Sequence, residues 1–422
     1  MKHTLLPILA ATILFSCNSE KKINWLNIEK DLQTQFIMAE DGDTIQIPEG
    51  YFKFSGSITL DEKNNIVIAG AGMDKTFLSF KGQTAGAEGL KITNGSNIVV
   101  QDLTIQDTKG DALKTQDITG ISFLKVRTTW SGKPKTENGA YGLYPVSCKN
   151  VLIDGCEASD ASDAGIYVGQ SQYVIVRNSM AFHNVAGIEI ENTLFADVYD
   201  NKAYDNTGGL LVFDLPDLKQ KKGGHVRLFN NEVVHNNLKN FAPPGNVVAN
   251  VPAGTGMMIL ATSNVEAFNN KVHDNKTANA SVVSYFITGE TIKDTTYDPY
   301  PKSVSIHDND FSRGFFQLPD WRNDLGKLML WKFLFNFPNI IYDGVNDPET
   351  LDENKKVKDE FRICFQNNKD ESFANVDFSN KFQNMSRDIT PYLCAQPKLN
   401  DVKFETIIPD TLSVFVDTLN AL

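Results

Sequence analysis

From about residue 64 onward the sequence repeats one phrase with a period near 22: a small residue, two alternating apolar positions, a turn, then a second alternating apolar stretch. Aligning on the central apolar residue of the second stretch gives Ile68, Val100, Phe123, Ile153, Val176, Val198, Leu228, Ala267 and Ile306. The successive spacings are 32, 23, 30, 23, 22, 30, 39 and 39. Their irregularity is informative, because the residue eleven before the anchor is Gly89, Ala112, Gly142, Gly165, Gly187 and Gly256 in six coils. One segment of the phrase is therefore held at constant length while the chain grows elsewhere. Five after each anchor the positions are again mostly small or apolar: Ile105, Thr128, Ala158, Ala181, Ala203, Val233, Val272 and Phe311.

Strands this short, alternating with period two and interrupted by Gly, Asn and Asp, cannot bury an apolar face alone; stacked copies can. Nine coils at a rung spacing of about 4.8 Å make a rod roughly 40 Å long. The pattern predicts an all-β fold, a single-stranded right-handed parallel β-helix, the hand following from strand twist and crossover chirality. Asn184, Asn206, Asn236 and Asn275 recur eight after the anchor, and Asp102, Asn178, Asp200, Asn230, Asn269 and Asp308 two after it. These columns read as turns, since Asn and Asp tolerate left-handed backbone. Open rungs need covers. An amphipathic helix over residues 24–40, with Ile28, Leu32 and Phe36 on one face, would cover the first coil. Residues 315–422 leave the repeat and read as a C-terminal cap, with an apolar helical stretch at 325–337 packing over the last coil and a solvated acidic run at 347–360. The expected division is 1–16 signal peptide, 17–41 tether and N-terminal cap, 42–314 β-helix, and 315–422 cap.

The N-terminus reads as an address. Lys2 precedes a short apolar run, and Leu14-Phe15-Ser16-Cys17 closes it in the manner of a bacterial lipobox. Cys17 would then be acylated, leaving an exported chain anchored by lipid alone and facing the periplasm or the cell surface. An ordinary signal peptide or a short buried segment are the other readings. In an oxidising compartment the remaining thiols can pair. Cys364 and Cys394, thirty residues apart, are the candidate disulfide, and Cys156, on an inward strand position, reads as a buried thiol. With 52 acidic against 40 basic residues and a formal charge of -12, the charge balance argues against nucleic acid as a partner.

The phrases GAYGLYPV (139–146), SDAGIYVGQS (162–171), AGIEIEN (186–192), GGLLVFDLP (208–216), NFAPPGNVVANVPAGTG (240–256) and RICFQNN (362–368) resemble those of an exported bacterial family of parallel β-helix repeat proteins. The resemblance covers about residues 30–400. Members are often lipoproteins and tend to be encoded beside a c-type cytochrome-like protein, which the resemblance implies as a partner. Through the fold the chain is also similar, more distantly, to pectate lyases, polygalacturonases, mannuronan epimerases and periplasmic copper-maturation β-helix proteins. It lacks the Asp-Pro-His-Glu motif of the epimerases and the pectate-lyase arginine signature.

Two after the small residue, on the side away from the core, the coils align Lys91, Lys114, Tyr144, Tyr167, Glu189, Leu211 and Met258; two further along come Gln116, Gly169, Glu191 and Phe213. Glu189 and Glu191 lie about 7 Å apart by strand rise, a separation that two carboxylates of an inverting glycosidase span. Tyr144 and Tyr167 beside Lys114 could instead supply the base and acid of uronate β-elimination or epimerisation. Against both stands an ordinary solvated sheet face. Gln170, Asn192 and Asp214 add hydrogen-bonding groups at the strand ends. Insertions at 129–138, 215–225 and 237–255 carry Trp130 and Phe241, candidates to stack on sugar rings, and lysines at 133, 135 and 219–222 to neutralise uronates; alternatively these loops only shield an edge. Seven after the anchor, Asp and His alternate. Asp160, His183 and Asp205 are the candidates there for a divalent cation such as calcium, against the simpler role of capping their own turns. Two function classes result. One is a cell-envelope lipoprotein that recognises, and as a lyase, epimerase or hydrolase processes, an extended acidic polysaccharide laid along the coils. The other is a non-catalytic envelope scaffold docking the cytochrome-like partner.

Overall fold

Most coils are built from three short strands, which run together round the corners in Ala85–Gln106 and Leu113–Thr129, and each strand pairs in parallel with its counterparts in the neighbouring coils. The computed structural model describes residues 27–314, 317–322, 324–334 and 336–404, so the export segment with Cys17 lies outside the described residues. The strands form three faces of one solenoid. On the first, the anchor face, each anchor residue pairs with the next: Ile68 with Val100, then Phe123, Ile153, Val176, Val198, Leu228, Ala267 and Ile306. The row extends one step at each end, to Ile45 and Phe365. Residues five after the anchors pair on the second, short face, from Ile105 to Phe311. The third, the ladder face, runs from Gly56–Asp61 to Phe373–Asn375.

The inward residues of the three faces, mostly Ile, Val and Leu with Ala at tight corners, make one continuous core. Two of its corners are polar. Asn184, Asn206, Asn236 and Asn275 form a buried column in which each amide donates to the next residue's Oδ1 at 3.0–3.1 Å, and that oxygen also accepts a backbone N–H. A second such column, Asn201, Asn231, Asn270, Asn309 and Asn368, is linked at 2.9–3.1 Å between the anchor and short faces. Buried amides are tolerated because every coil supplies the partner for its neighbour. Asp102, Asn178, Asp200, Asn230, Asn269 and Asp308 take left-handed backbone at φ 50–57°, as the turn reading requires. Cys148 and Cys156 are buried thiols, pushed up to about 11 and about 12 by burial.

Helix α1, Ile28–Met38, closes the first coil with Leu32 and Phe36 buried. The other end departs from expectation. Residues beyond 314 do not leave the solenoid, because Ile340–Tyr342, Ile363–Gln366 and Phe373–Asn375 continue the ladder and anchor faces; long connections conceal their period. Helix α2, Asp324–Phe333, does not lie over the last coil. Its Met329 and Phe333 pack on the outside of the ladder face, against Ala278, Ile341 and Ala374, where the outward residues are apolar and match its stripe. The open end is covered instead by Tyr392, whose ring meets those of Tyr342, Phe365 and Phe373 at 5.5, 6.1 and 5.0 Å. Cys364 and Cys394 are disulfide-bonded beneath it. Among the described residues no helix is long and apolar enough to cross a membrane.

Candidate functional site

The ladder face brings together the five side chains nominated for chemistry. Lys91 pairs with Lys114, Lys114 with Tyr144, Tyr167 with Glu189, and Glu189 with Leu211; the pairs Leu143 with Ile166 and Val146 with Gly169 set Tyr144 beside Tyr167. The surroundings differ from those of a solvated sheet. Lys91, Lys114 and Tyr144 are half-buried, whereas Tyr167, Glu189 and Glu191 retain only 4%, 2% and 8% of their exposure. The cause is a roof. The segment 240–251 folds back over the face, with Val248 and Val251 packing among Ala186, Leu211 and Met258. Asn246 donates to Asp163 Oδ2 at 2.8 Å, and Thr136 Oγ1 donates to the Phe241 carbonyl.

Under this roof lies a cluster of acids and phenols. Tyr167 Oη donates to Glu191 Oε1 at 2.7 Å. A Cβ on Gly169 would stand 2.1 Å from that hydroxyl, so the ring crosses its own strand only because residue 169 has no side chain. Glu189 Oε2 has no hydrogen-bond partner. Burial first, then repulsion from Asp163 and Glu191, holds the Glu189 carboxyl well above the usual carboxylate range. Burial likewise pushes Asp163 and Glu191 up to about 7. Tyr141, Tyr144 and Tyr167 form a ring triangle with centroids 4.5–5.0 Å apart. All three phenols are raised, chiefly by burial, and stay protonated. At the mouth of the cluster Asp111 is half-buried and raised to about 6 by burial. Lys114 Nζ stands 3.9 Å from its carboxylate and 4.9 Å from the Tyr144 ring centroid.

The other nominated residues do different work. Trp130 is buried in the core and its indole donates to the Thr108 carbonyl at 2.7 Å, so it offers no face to a sugar. Gln170, Asn192 and Asp214 hold the 215–223 loop: Gln170 Oε1 accepts from Lys219 N, Asn192 bonds Leu215 in both directions, and both Asp214 oxygens accept from Gly223 N. Phe241 is half-buried against the roof cluster. Lys221 and Lys222 are paired with Asp294 and Asp298, which ties two loops together. Asp160, His183 and Asp205 occupy left-handed turns at φ 67, 60 and 53°. Asp160 accepts from Ser159 Oγ, and the Asp205 carbonyl accepts from His183 N. His183 Nδ1 stands 3.8 Å from Asp160 Oδ1, and among the described residues no three His, Cys, Asp or Glu side chains are gathered to hold a metal ion. Sequence reasoning missed Asp111, Tyr141, Asp163 and Asn246. Their signal was position: Asp111 and Tyr141 immediately precede the small residue of their coils and Asp163 stands two before it, where the chain enters the ladder face.

Three-faced parallel coils around an uninterrupted core define the chain as a parallel β-helix solenoid with a roofed polar cluster on one face. The model of the right-handed β-helix region matches residues 13–214 and 88–286, and the chain belongs to that family. Among solved structures, the A-module of mannuronan C-5 epimerase AlgE4 from Azotobacter vinelandii is similar with a TM-score of 0.54 at 17% identity, over 82% of this chain and 91% of that one. A hyperthermoactive exopolygalacturonase from Thermotoga maritima is similar at a TM-score of 0.43 and 12% identity, over 64% and 74%. No curated protein matches the sequence.

Proposed function

We propose that the protein binds an acidic polysaccharide along the half-exposed part of the ladder face and processes it by proton transfer at a uronate. One observation carries this reading: the side chains at the mouth of the cluster are a carboxylate, a lysine and a phenol, Asp111, Lys114 and Tyr144, whereas the Glu189 and Glu191 pair is sealed beneath the roof. That arrangement favours uronate chemistry over two-carboxylate hydrolysis. The Lys114 ammonium neutralises the sugar carboxylate and acidifies the adjacent C5–H. Asp111, ionised above about pH 6, takes that proton. The electron pair forms the C4–C5 double bond as the C4–O bond breaks, and Tyr144 protonates the departing oxygen. Reprotonation of C5 from the opposite side without cleavage gives the epimer instead.

A panel of uronans and neutral glycans tests the reading, scored for ultraviolet absorbance of unsaturated product, new reducing ends and solvent deuterium at C5. Activity on uronans is expected to rise as pH passes about 6, and Asp111→Asn or Tyr144→Phe is expected to lower it on the order of a hundredfold or more. Tyr167→Phe, remote from solvent, retains it. Full activity in Asp111→Asn, or no binding and no product on any uronan, refutes it.

The same reading takes the protein as exported and lipid-anchored at Cys17, which the disulfide supports, since such bonds persist in oxidising compartments. Cys17→Ser should move the protein from the membrane fraction to the soluble one. Docking of a cytochrome-like partner is supported by one feature, the exposure of Trp321, Trp331 and Leu334 at 63, 71 and 73% around α2. Co-purification of a haem protein that Trp331→Ala abolishes would establish it.

A further inference from the structure

The lane on the ladder face is open at one end and shut at the other. Thr59, Lys91, Lys114 and Tyr144 stand half-exposed on successive rungs, and from Tyr167 onward every outward residue of that row is buried: Glu189, Leu211, Met258, Ser281, Ile341 and Ala374. Four open rungs span about 14 Å along the axis, room for a few sugar rings. The 240–251 segment stands across the lane immediately past Tyr144. It is fixed there by the Asn246 bond to Asp163, by Thr136 on the Phe241 carbonyl, and by Asn240, whose amide bonds the carbonyls of Val248 and Val251. From Leu211 on, the same row is apolar apart from Ser281. A cavity of about 470 Å³ there is lined mainly by apolar side chains, Phe213, Met258, Leu260, Val283 and Ile287 among them, with Asn250 and Thr288 as its polar groups, a surface that offers few partners to the hydroxyls of a glycan. Occlusion begins at Tyr167, and two rungs further on, at Leu211, the outward row turns from polar to apolar.

We infer that the site takes the end of a polysaccharide chain, with the terminal sugar against Tyr144 and the wall, and that the protein acts on its substrate from that end. The inference rests on the uronate reading above. It concerns the residues of the wall, Asn240, Asn246 and Val248, as determinants of where along the polymer the reaction falls.

The test follows viscosity and unsaturated product together on a long uronan polymer, with products sized by chromatography. Chain-end action gives one small product from the first minutes, with viscosity falling only in proportion to absorbance. Replacement of residues 241–250 by a short Gly-Ser linker, checked for folding by circular dichroism, is expected to open the lane, so that viscosity collapses at low conversion. An early collapse with the native protein, or a product ladder of mixed sizes, overturns chain-end action while leaving uronate chemistry standing. A folded linker variant with the native product pattern overturns the role of the wall. No binding or product on any uronan overturns both readings together. Where the linker variant does not fold, the native product pattern alone decides.

Discussion

Replacing Glu189 by Gln should stabilise the protein at neutral pH, and by an amount that grows with pH. Glu189 is enclosed, one carboxyl oxygen has no partner, and burial together with Asp163 and Glu191 raises its proton affinity well above the ordinary carboxylate. In the window between the usual carboxyl range and that raised value the folded chain keeps a proton that the unfolded chain has released. Stability therefore falls as pH rises, by about 1.4 kcal/mol per unit for each such proton. Glutamine mimics the protonated form at every pH, so the variant lacks this slope. The two proteins should match near pH 5 and diverge above it, the variant being the more stable near pH 7 by on the order of 2 to 3 kcal/mol for one carboxyl kept protonated. Urea unfolding followed by circular dichroism at half-unit pH intervals, with refolding checked, measures this directly. Parallel pH profiles for the two proteins, or a variant less stable than the native protein at pH 7, would refute the argument that Glu189 is held neutral.

Further outcomes follow from single contacts. Gly169→Ala places a methyl 2.1 Å from Tyr167 Oη and should cost roughly 1 to 3 kcal/mol by overpacking; combining it with Tyr167→Ala should recover part of the loss in the same unfolding assay. Asn206→Ala removes the amide that donates to Asn236 and the oxygen that takes both Asn184 bonds. Leaving those groups buried and unpaired should cost roughly 2 to 4 kcal/mol, and an unchanged urea midpoint would contradict the ladder's role. Cys394→Ser opens a thirty-residue loop. About 3 to 4 kcal/mol of chain-entropy stabilisation should go with it, read as earlier proteolysis within residues 376–404.

The register of the solenoid was legible because an inward position is apolar in every coil whatever the loops do. Each step from Ile68 to Ile306 follows from that single requirement. The fate of the ladder face was less legible, since its cover comes from residues 240–251 and 285–297, far along the chain from Tyr167. A signal was nonetheless present: Leu211, Phe213, Met258 and Leu260 occupy outward positions, and a row of large apolar groups on the outside of a sheet implies something packed on it. Trp130 misled for a related reason. Its column is otherwise Asp and His in left-handed turns, and only the structure shows the indole turned inward to the Thr108 carbonyl. Gln170, Asn192 and Asp214 were read as free donors and acceptors when their partners were the backbone of a loop.

The position of the roof has a physical reason. A coil has three corners, and the one between the anchor and short faces, which carries the Asn201 to Asn368 column, keeps one length in those coils while the other two vary. Insertions enter at the two corners bordering the ladder face: 129–138, 237–254 and 313–339 before its strands, and 214–223, 284–301 and 343–362 after them. Chain added at those corners has the ladder face as its nearest surface. Packing there is favourable wherever the outward residues are apolar, as they are from Leu211 onward with the exception of Ser281. The polar cluster consequently sits at the boundary between open and covered rungs, where the carboxyls of Asp163, Glu189 and Glu191 lose their water while Asp111, Lys114 and Tyr144 keep theirs in part. A cluster placed two coils earlier would be more open to water, and one placed two coils later would be unreachable.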